Sequence, residues 1–287
     1  MQSTNPAPQR TGQKLLSGFS IEVTPKTLMK TPEIGTLLPR GTTVFIAHIA
    51  GTPVADMVRA AQTLRAAGLQ PKPHIPARLL RDRAMLGDWL TRYQAEAGVD
   101  RALLLAGGVA SPAGDFASSM DLVETGLFDR LGFQDLSFAG HPEGSRDIDP
   151  QGGTALADGA LSWKQAFAQR TDARVSLITQ FVFDTAPVLA WQARTSALGI
   201  DLPIHVGLAG PASLQTLIRY GLSCGVGASL KVLQRRAADL RKLMLPFAPD
   251  DLLRDLATCG DDGRIAGIHL FPLGGITRCA DWAKGAI

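Results

Sequence analysis

Eight short apolar runs recur along this chain, each bounded by turn residues and separated from the next by a stretch of helical periodicity. The runs cover 18–23, 43–47, 70–75, 102–106, 135–139, 174–180, 203–207 and 267–271. Amphipathic stretches lie at 54–67, 79–97, 115–131, 163–170, 186–198, 212–220, 230–243 and 250–259. Gly68, Gly98, Gly132, Gly199 and Gly221 stand just past five of them, where a left-handed residue commonly stops a helix. Strands that alternate with helices build parallel βαβ units. An open dinucleotide-binding sheet is the alternative, but no Gly-x-Gly-x-x-Gly follows the first strand. Gly225-Val226-Gly227 comes late, after helical periodicity, and reads as a tight turn. The expected fold is α/β, a closed (β/α)8 TIM barrel in a single domain over 17–287, with 1–16 as a flexible N-terminal tail.

A chain of 287 residues suits one such barrel, and 45% hydrophobic with 19% charged residues suffices for a sizeable core. A net charge of +3 and 6% aromatic residues argue against nucleic acid and leave a small-molecule substrate as the expected partner. Three cysteines (Cys224, Cys259, Cys279) are odd in number and far apart, which argues against a disulfide framework and points to a reducing cytoplasm. The first 14 residues lack the apolar core of a signal peptide, and no run of about 18 apolar residues exists to span a membrane. The expectation is a soluble cytoplasmic protein, and the sequence leaves room for a homo-oligomer.

In a barrel, function gathers at the C-terminal ends of the strands. The second strand ends at His48, the third at His74, the fourth at Gly107-Gly108 and the fifth at His141-Pro142-Glu143. The sixth ends at Gln180, with Asp184 just beyond; a core has no use for that amide, so it belongs to a binding face. Glu22 lies inside the apolar first strand. Burial there is expected to raise its pKa, as suits a general acid. His205 and His269 read as hydrogen-bonded core residues, while His48, His74 and His141 are candidates to line a pocket. No His-x-His or His-Glu-x-x-His spacing points to a metal, and no Gly-x-Ser-x-Gly elbow points to a serine hydrolase. Lys231, Arg235, Arg236, Arg241 and Lys242 read as a solvated helix face. So do Arg78, Arg81 and Arg83, unless they meet an anionic tail of a substrate.

The ordered motifs resemble the methylenetetrahydrofolate reductase family. Phe19-Ser20-Ile21-Glu22-Val23-Thr24-Pro25 is similar to that family's Phe-Ser-x-Glu-Phe-Phe-Pro, and Pro73-His74-Ile75 to its Pro-His-Leu. His141-Pro142-Glu143 resembles Tyr-Pro-Glu, and the run from Ile178 to Asp184 resembles the family's sixth strand. The resemblance implies a catalytic acid at Glu22, protonating a folate nitrogen, and folate binding by Gln180, Phe181 and Asp184. It implies cofactor contacts at His74, Gly107, Gly108, His141, Glu143 and Lys164, with His74 against a flavin.

Departures concern the flavin. Leu105-Ala106-Gly107-Gly108 replaces the family's Leu-Arg-Gly-Asp, Pro272-Leu273-Gly274-Gly275 replaces Thr-Leu-Asn-Arg, and Lys164 alone remains of a Lys-x-Lys. A pyrophosphate normally finds charge-assisted donors, so FAD binding is expected to be weak or absent. The implied reaction reduces a methylene-tetrahydrofolate derivative to the 5-methyl form with hydride from NAD(P)H. The alternatives are a tetrahydrofolate-dependent methyl or one-carbon transferase on the same barrel, and a non-catalytic folate-binding protein.

Overall fold

The structure, a computed structural model, describes residues 12–223, 247–259 and 263–286. Its strands are β1 Ser20–Val23, β2 Thr43–Ile46, β3 Gln70–Pro76, β4 Arg101–Leu105, β5 Asp135–Gly140, β6 Arg174–Val182, β7 Ile204–Ala209 and β8 Ile265–Phe271. All neighbours pair in parallel and β8 returns to β1, closing the barrel in chain order. The expected (β/α)8 barrel is the observed fold, and each expected strand is present with its ends shifted by one or two residues.

The helices differ more. Gly12–Leu16 forms α1, which packs on β8 with Leu15 and Leu16 buried, so the tail boundary expected at residue 16 moves back. Residues 1–11 lie outside the described residues, as do the expected helix at 230–243 with its basic residues and the turn at 225–227. Between β1 and β2 stand the short α2 Pro25–Leu28 and α3 Ile34–Leu37, and α4 Val54–Ala66 follows β2. The stretch at 79–97 becomes a 3-10 turn at Ala77–Leu79 and α5 Arg83–Ala97, which Asp82 starts by accepting from Met85 N–H at 2.8 Å.

The stretch at 115–131 splits into α6 Ser119–Glu124, closed by a Ser118/Asp121 capping box, and α7 Leu127–Arg130. Gly126 between them is left-handed at φ 66°. The expected helix at 163–170 is α8 Ala155–Ala168, which starts eight residues earlier. Its start is fixed from the preceding loop, where the buried Asp149 carboxylate accepts from Leu156 N–H at 2.9 Å and Ala157 N–H at 3.1 Å. Then come α9 Ala186–Ala197, α10 Leu214–Ser223, α11 Asp250–Cys259 and α12 Ile276–Ala286. The last was not expected: its buried face is Ile276, Cys279, Ala280 and Ala283, too small in side chain to give an apolar pattern. Among the described residues no helix is long and apolar enough to cross a membrane.

Partners in a parallel register point the same way, so the register identifies the lumen. Glu22, Phe45 and Lys72 lie in register across β1, β2 and β3. His74, Leu103, Ser137 and Ser176 do so across β3 to β6, and Ser20 is level with His269. Bulky branched residues dominate most barrels of this kind. Here the apolar lumen is reduced to Phe45, Leu103 and Ile178 with Leu105 beside them, between two polar regions. At the N-terminal floor the Lys72 ammonium donates to Asp135 and, at 2.7 Å, to Ser137 Oγ. Ser137 and Ser176 hydroxyls are 2.8 Å apart, and Arg101 and Arg174 approach Asp135 at 4.0 and 3.9 Å. A buried ion pair of this kind costs desolvation, which the added hydroxyl partner offsets in part. The other polar region is at the mouth.

Candidate active site

Two strands that close the barrel, β1 and β8, put Glu22 beside His269, and β3 brings His74 from the other side. Glu22 Oε2 is 3.2 Å from His74 Nε2 and 3.8 Å from His269 Nε2. These are ion-pair distances without well-directed hydrogen bonds, so both Nε2 atoms remain buried with no hydrogen-bond partner. The far nitrogen of His269 is tied down by Ser20, whose hydroxyl lies 2.8 Å from Nδ1. Phe45 holds both rings edge-on, with centroids 6.3 Å from His74 and 4.6 Å from His269.

The expected rise in the Glu22 pKa does not occur. Burial does act upward, but His74 and His269 together outweigh it and hold the carboxyl down at about 2. Glu22 is therefore an ionised carboxylate at rest. His269 has its own pKa lowered by burial, against the pull of Glu22, and is fully enclosed. It read as a core residue in the sequence, and it is one, yet it also completes the site. The period-2 pattern Gly267-x-His269-x-Phe271 was the signal that it faces the lumen.

The other candidates spread around the mouth. His48 stacks on Trp89 at 4.9 Å and its Nε2 donates to the Thr52 carbonyl at 3.0 Å, leaving Nδ1 buried without a partner. Burial lowers its pKa and His74 adds to the effect, so the two rings share one electrostatic neighbourhood. His141 is kept neutral down to about 4, by burial first and then by Lys164. Lys164 lies on α8, buried, donating to the Ala139 carbonyl at 3.1 Å with its ammonium 5.5 Å over the Phe138 ring. Burial lowers its pKa to about 8. Its charge is turned to the end of β5 rather than to an open mouth. Glu143 is half-buried in the loop that follows.

Gln180 is exposed and sits in a bulge of β6 between Ile178 and Phe181. The bulge is held by the Thr179 hydroxyl, which donates to the Gln180 carbonyl and accepts from Gly207 N–H, both at 2.8 Å. It turns Phe181 into the interior, buried and edge-on to Phe271 at 5.3 Å. Phe181 is thus a packing residue here. Asp184 accepts from Ala186 N–H at 3.0 Å at the start of α9. No hydrogen bond or ion pair joins Gln180 to Glu22 or His141 among the described residues, so the core of the site is Glu22, His74 and His269.

Arg78 follows neither of its expected readings. Its guanidinium donates to the carbonyls of Val109 and Ala117 at 3.1 Å and pairs with Asp147 at 2.9 Å, joining the loops after β3, β4 and β5. Gly107, at φ 105°, lies against Pro76, and Gly108 is exposed with open space around it. Among the described residues no group of three His, Cys, Asp or Glu side chains is disposed to hold a metal ion.

No family model matches the sequence. Among solved structures the chain is similar to a mandelate racemase/muconate lactonizing enzyme from Bordetella bronchiseptica RB50, with 14% identity and a TM-score of 0.43. The match covers 89% of this chain and 53% of that one, so the chain spans about half its length. So distant a likeness does not bear on the chemistry of the site.

Proposed function

We propose that this chain is an enzyme of the methylenetetrahydrofolate reductase type that works without a bound flavin. The observation that carries the reading is the half-buried Glu22 carboxylate at the end of β1, flanked by two imidazoles in the lumen of a closed barrel. The substrate would be a 5,10-methylene-tetrahydrofolate. A proton delivered from Glu22 to N10 breaks the bond between N10 and the bridging carbon, with the bonding electrons going to N10. The cationic iminium left at N5 is stabilised by the carboxylate, and hydride from NAD(P)H reduces it to the methyl group. One proton and one hydride are consumed. Gln180, exposed at the mouth, is suited to pair with the pterin edge.

The residues present do not fit FAD. The fourth strand ends in Ala106-Gly107-Gly108 without a charge, and the guanidinium of Arg78, after β3, already serves two carbonyls and Asp147. Neither those three residues nor Arg78 leaves a pyrophosphate a free charge-assisted donor. The resting ionisation of Glu22 favours, as a second reading, a one-carbon transferase, in which the carboxylate stabilises a cationic one-carbon unit and gives up no proton. Titration of the full chain with 5-methyl-tetrahydrofolate and with FAD tests the site assignment common to both. Saturable folate binding that weakens by about 0.5–1.5 kcal/mol in Gln180→Ala is expected for one lost hydrogen bond. Absence of folate binding, or micromolar FAD binding, would refute the assignment.

A further inference from the structure

A folate is a pterin joined through N10 to a benzoyl ring that ends in a glutamate, so beyond N10 come an aromatic ring and then two carboxylates. With the pterin edge at Gln180 on β6 and N10 at Glu22 on β1, this arm points away from β6. In a closed barrel of eight strands in chain order, the strand across from β6 is β2. The arm therefore leaves the mouth over the loops that follow β1 and β2.

A groove of about 760 Å³ opens there between α2 and α4, a volume typical of small-molecule sites. Thr24 forms its inner edge. Its backbone is extended at φ −105° and ψ 159°, and it follows Glu22 by two residues. It therefore lies on the same side of β1 as Glu22, about 7 Å further along. Leu28 and Ala60 are buried beneath the groove, while Ile49 and Met29 flank it with 58% and 84% of their surface exposed. Of the charged residues that line it, Arg59 pairs with Asp56 at 3.4 Å, whereas the exposed Lys26 has no ion pair among the described residues. Apolar walls with an unpaired cation suit an aromatic acid.

We propose that the groove between α2 and α4 holds the benzoyl-glutamate arm of the substrate. Ile49, Met29 and Leu28 cover the ring, and the Lys26 ammonium pairs with a carboxylate. The inference rests on the folate reading, which supplies the ligand and the direction in which its arm leaves the mouth. The arm then contributes binding without touching the reacting atoms, and the two exposed apolar side chains lose their contact with water.

The test titrates the full chain with 5-methyl-tetrahydrofolate and with 6-methyl-tetrahydropterin, which has the ring system but no arm. Lys26→Glu and Ile49→Asp change exposed side chains, so both variants keep the fold. Each should weaken 5-methyl-tetrahydrofolate binding by about tenfold or more, as for one charge-assisted hydrogen bond or one packed side chain lost. Each should leave the pterin affinity as in wild type, and the Lys26→Glu effect should shrink at high salt. Variants that bind 5-methyl-tetrahydrofolate as tightly as wild type overturn the proposal. So does an equal loss for the armless pterin, because the substitutions would then be acting on the mouth and not on the arm. Self-association that Met29→Glu abolishes, with folate affinity unchanged, would overturn it in favour of a second copy of this chain in the groove. If wild type binds neither ligand, the folate reading itself fails. The fragment p-aminobenzoyl-glutamate then decides the groove: binding lost in both variants keeps it as a site for an aromatic acid, and no binding removes it.

Discussion

Glu22 carries its charge because of its neighbours, and its contribution to stability has a definite pH window. With a folded pKa of about 2 against an ordinary 4.5, it stabilises the fold at and above pH 4.5 and loses that contribution as pH falls towards 2. The full effect is on the order of 3 kcal/mol, taking about 1.4 kcal/mol per pH unit. Urea unfolding at pH 5 and pH 3 should show wild type losing more stability than Glu22→Gln over this interval; parallel losses would show that the imidazoles do not hold the charge. Turnover of Glu22→Gln should fall by about 10²–10⁴-fold, as for a lost general acid, with folate affinity little changed. A carboxylate inside an apolar strand was legible in the sequence. The sign of its pKa shift was not, because His74 on β3 and His269 on β8 flank Glu22 only once the strands have closed into a barrel.

At the level of elements, period-2 and helical patterns located all eight strands, since strand ends in a parallel barrel are marked by turn residues that a sequence displays. Helix starts were less legible: α8 begins where Asp149 caps it from a loop, and α12 hides a small-residue face. The β6 bulge was invisible beforehand, yet it displays Gln180 and requires glycine opposite. A Cβ on Gly207 would lie 2.5 Å from the Gln180 carbonyl oxygen and 2.6 Å from that of Thr179. Gly207→Ala should therefore cost about 1–3 kcal/mol by overpacking and weaken folate binding with it. A melting temperature and folate affinity equal to wild type would remove the bulge from the account. Between α4 and α5 the opposite gain is available. The buried Tyr93 hydroxyl has no partner and its pKa is pushed up by burial. Tyr93→Phe should raise stability by about 1 kcal/mol, seen as a higher urea midpoint; a lower midpoint would show that the hydroxyl is satisfied.

For the whole molecule, the polar lumen sets a price in acid. His141 and His205 are both kept neutral down to about 4, chiefly by burial, while the unfolded chain takes up protons near 6.5. Between those values the unfolded state binds more protons, so stability falls as pH is lowered from 6.5 to 4. Melting temperatures across that range should drop in wild type and drop less in His141→Asn and His205→Asn; equal slopes would contradict the buried-neutral assignment. The barrel, its mouth and the position of Glu22 in it followed from patterning, whereas the network around Glu22 depends on closure and could only be seen in three dimensions. What the assembled site does is tested most directly by anaerobic stopped-flow mixing of flavin-free full chain with NADPH or NADH and 5,10-methylene-tetrahydrofolate. The expected result is nicotinamide oxidation that requires the folate, yields the 5-methyl product one for one and collapses in Glu22→Gln. Oxidation only after FAD is added, or none with either nicotinamide, would contradict it.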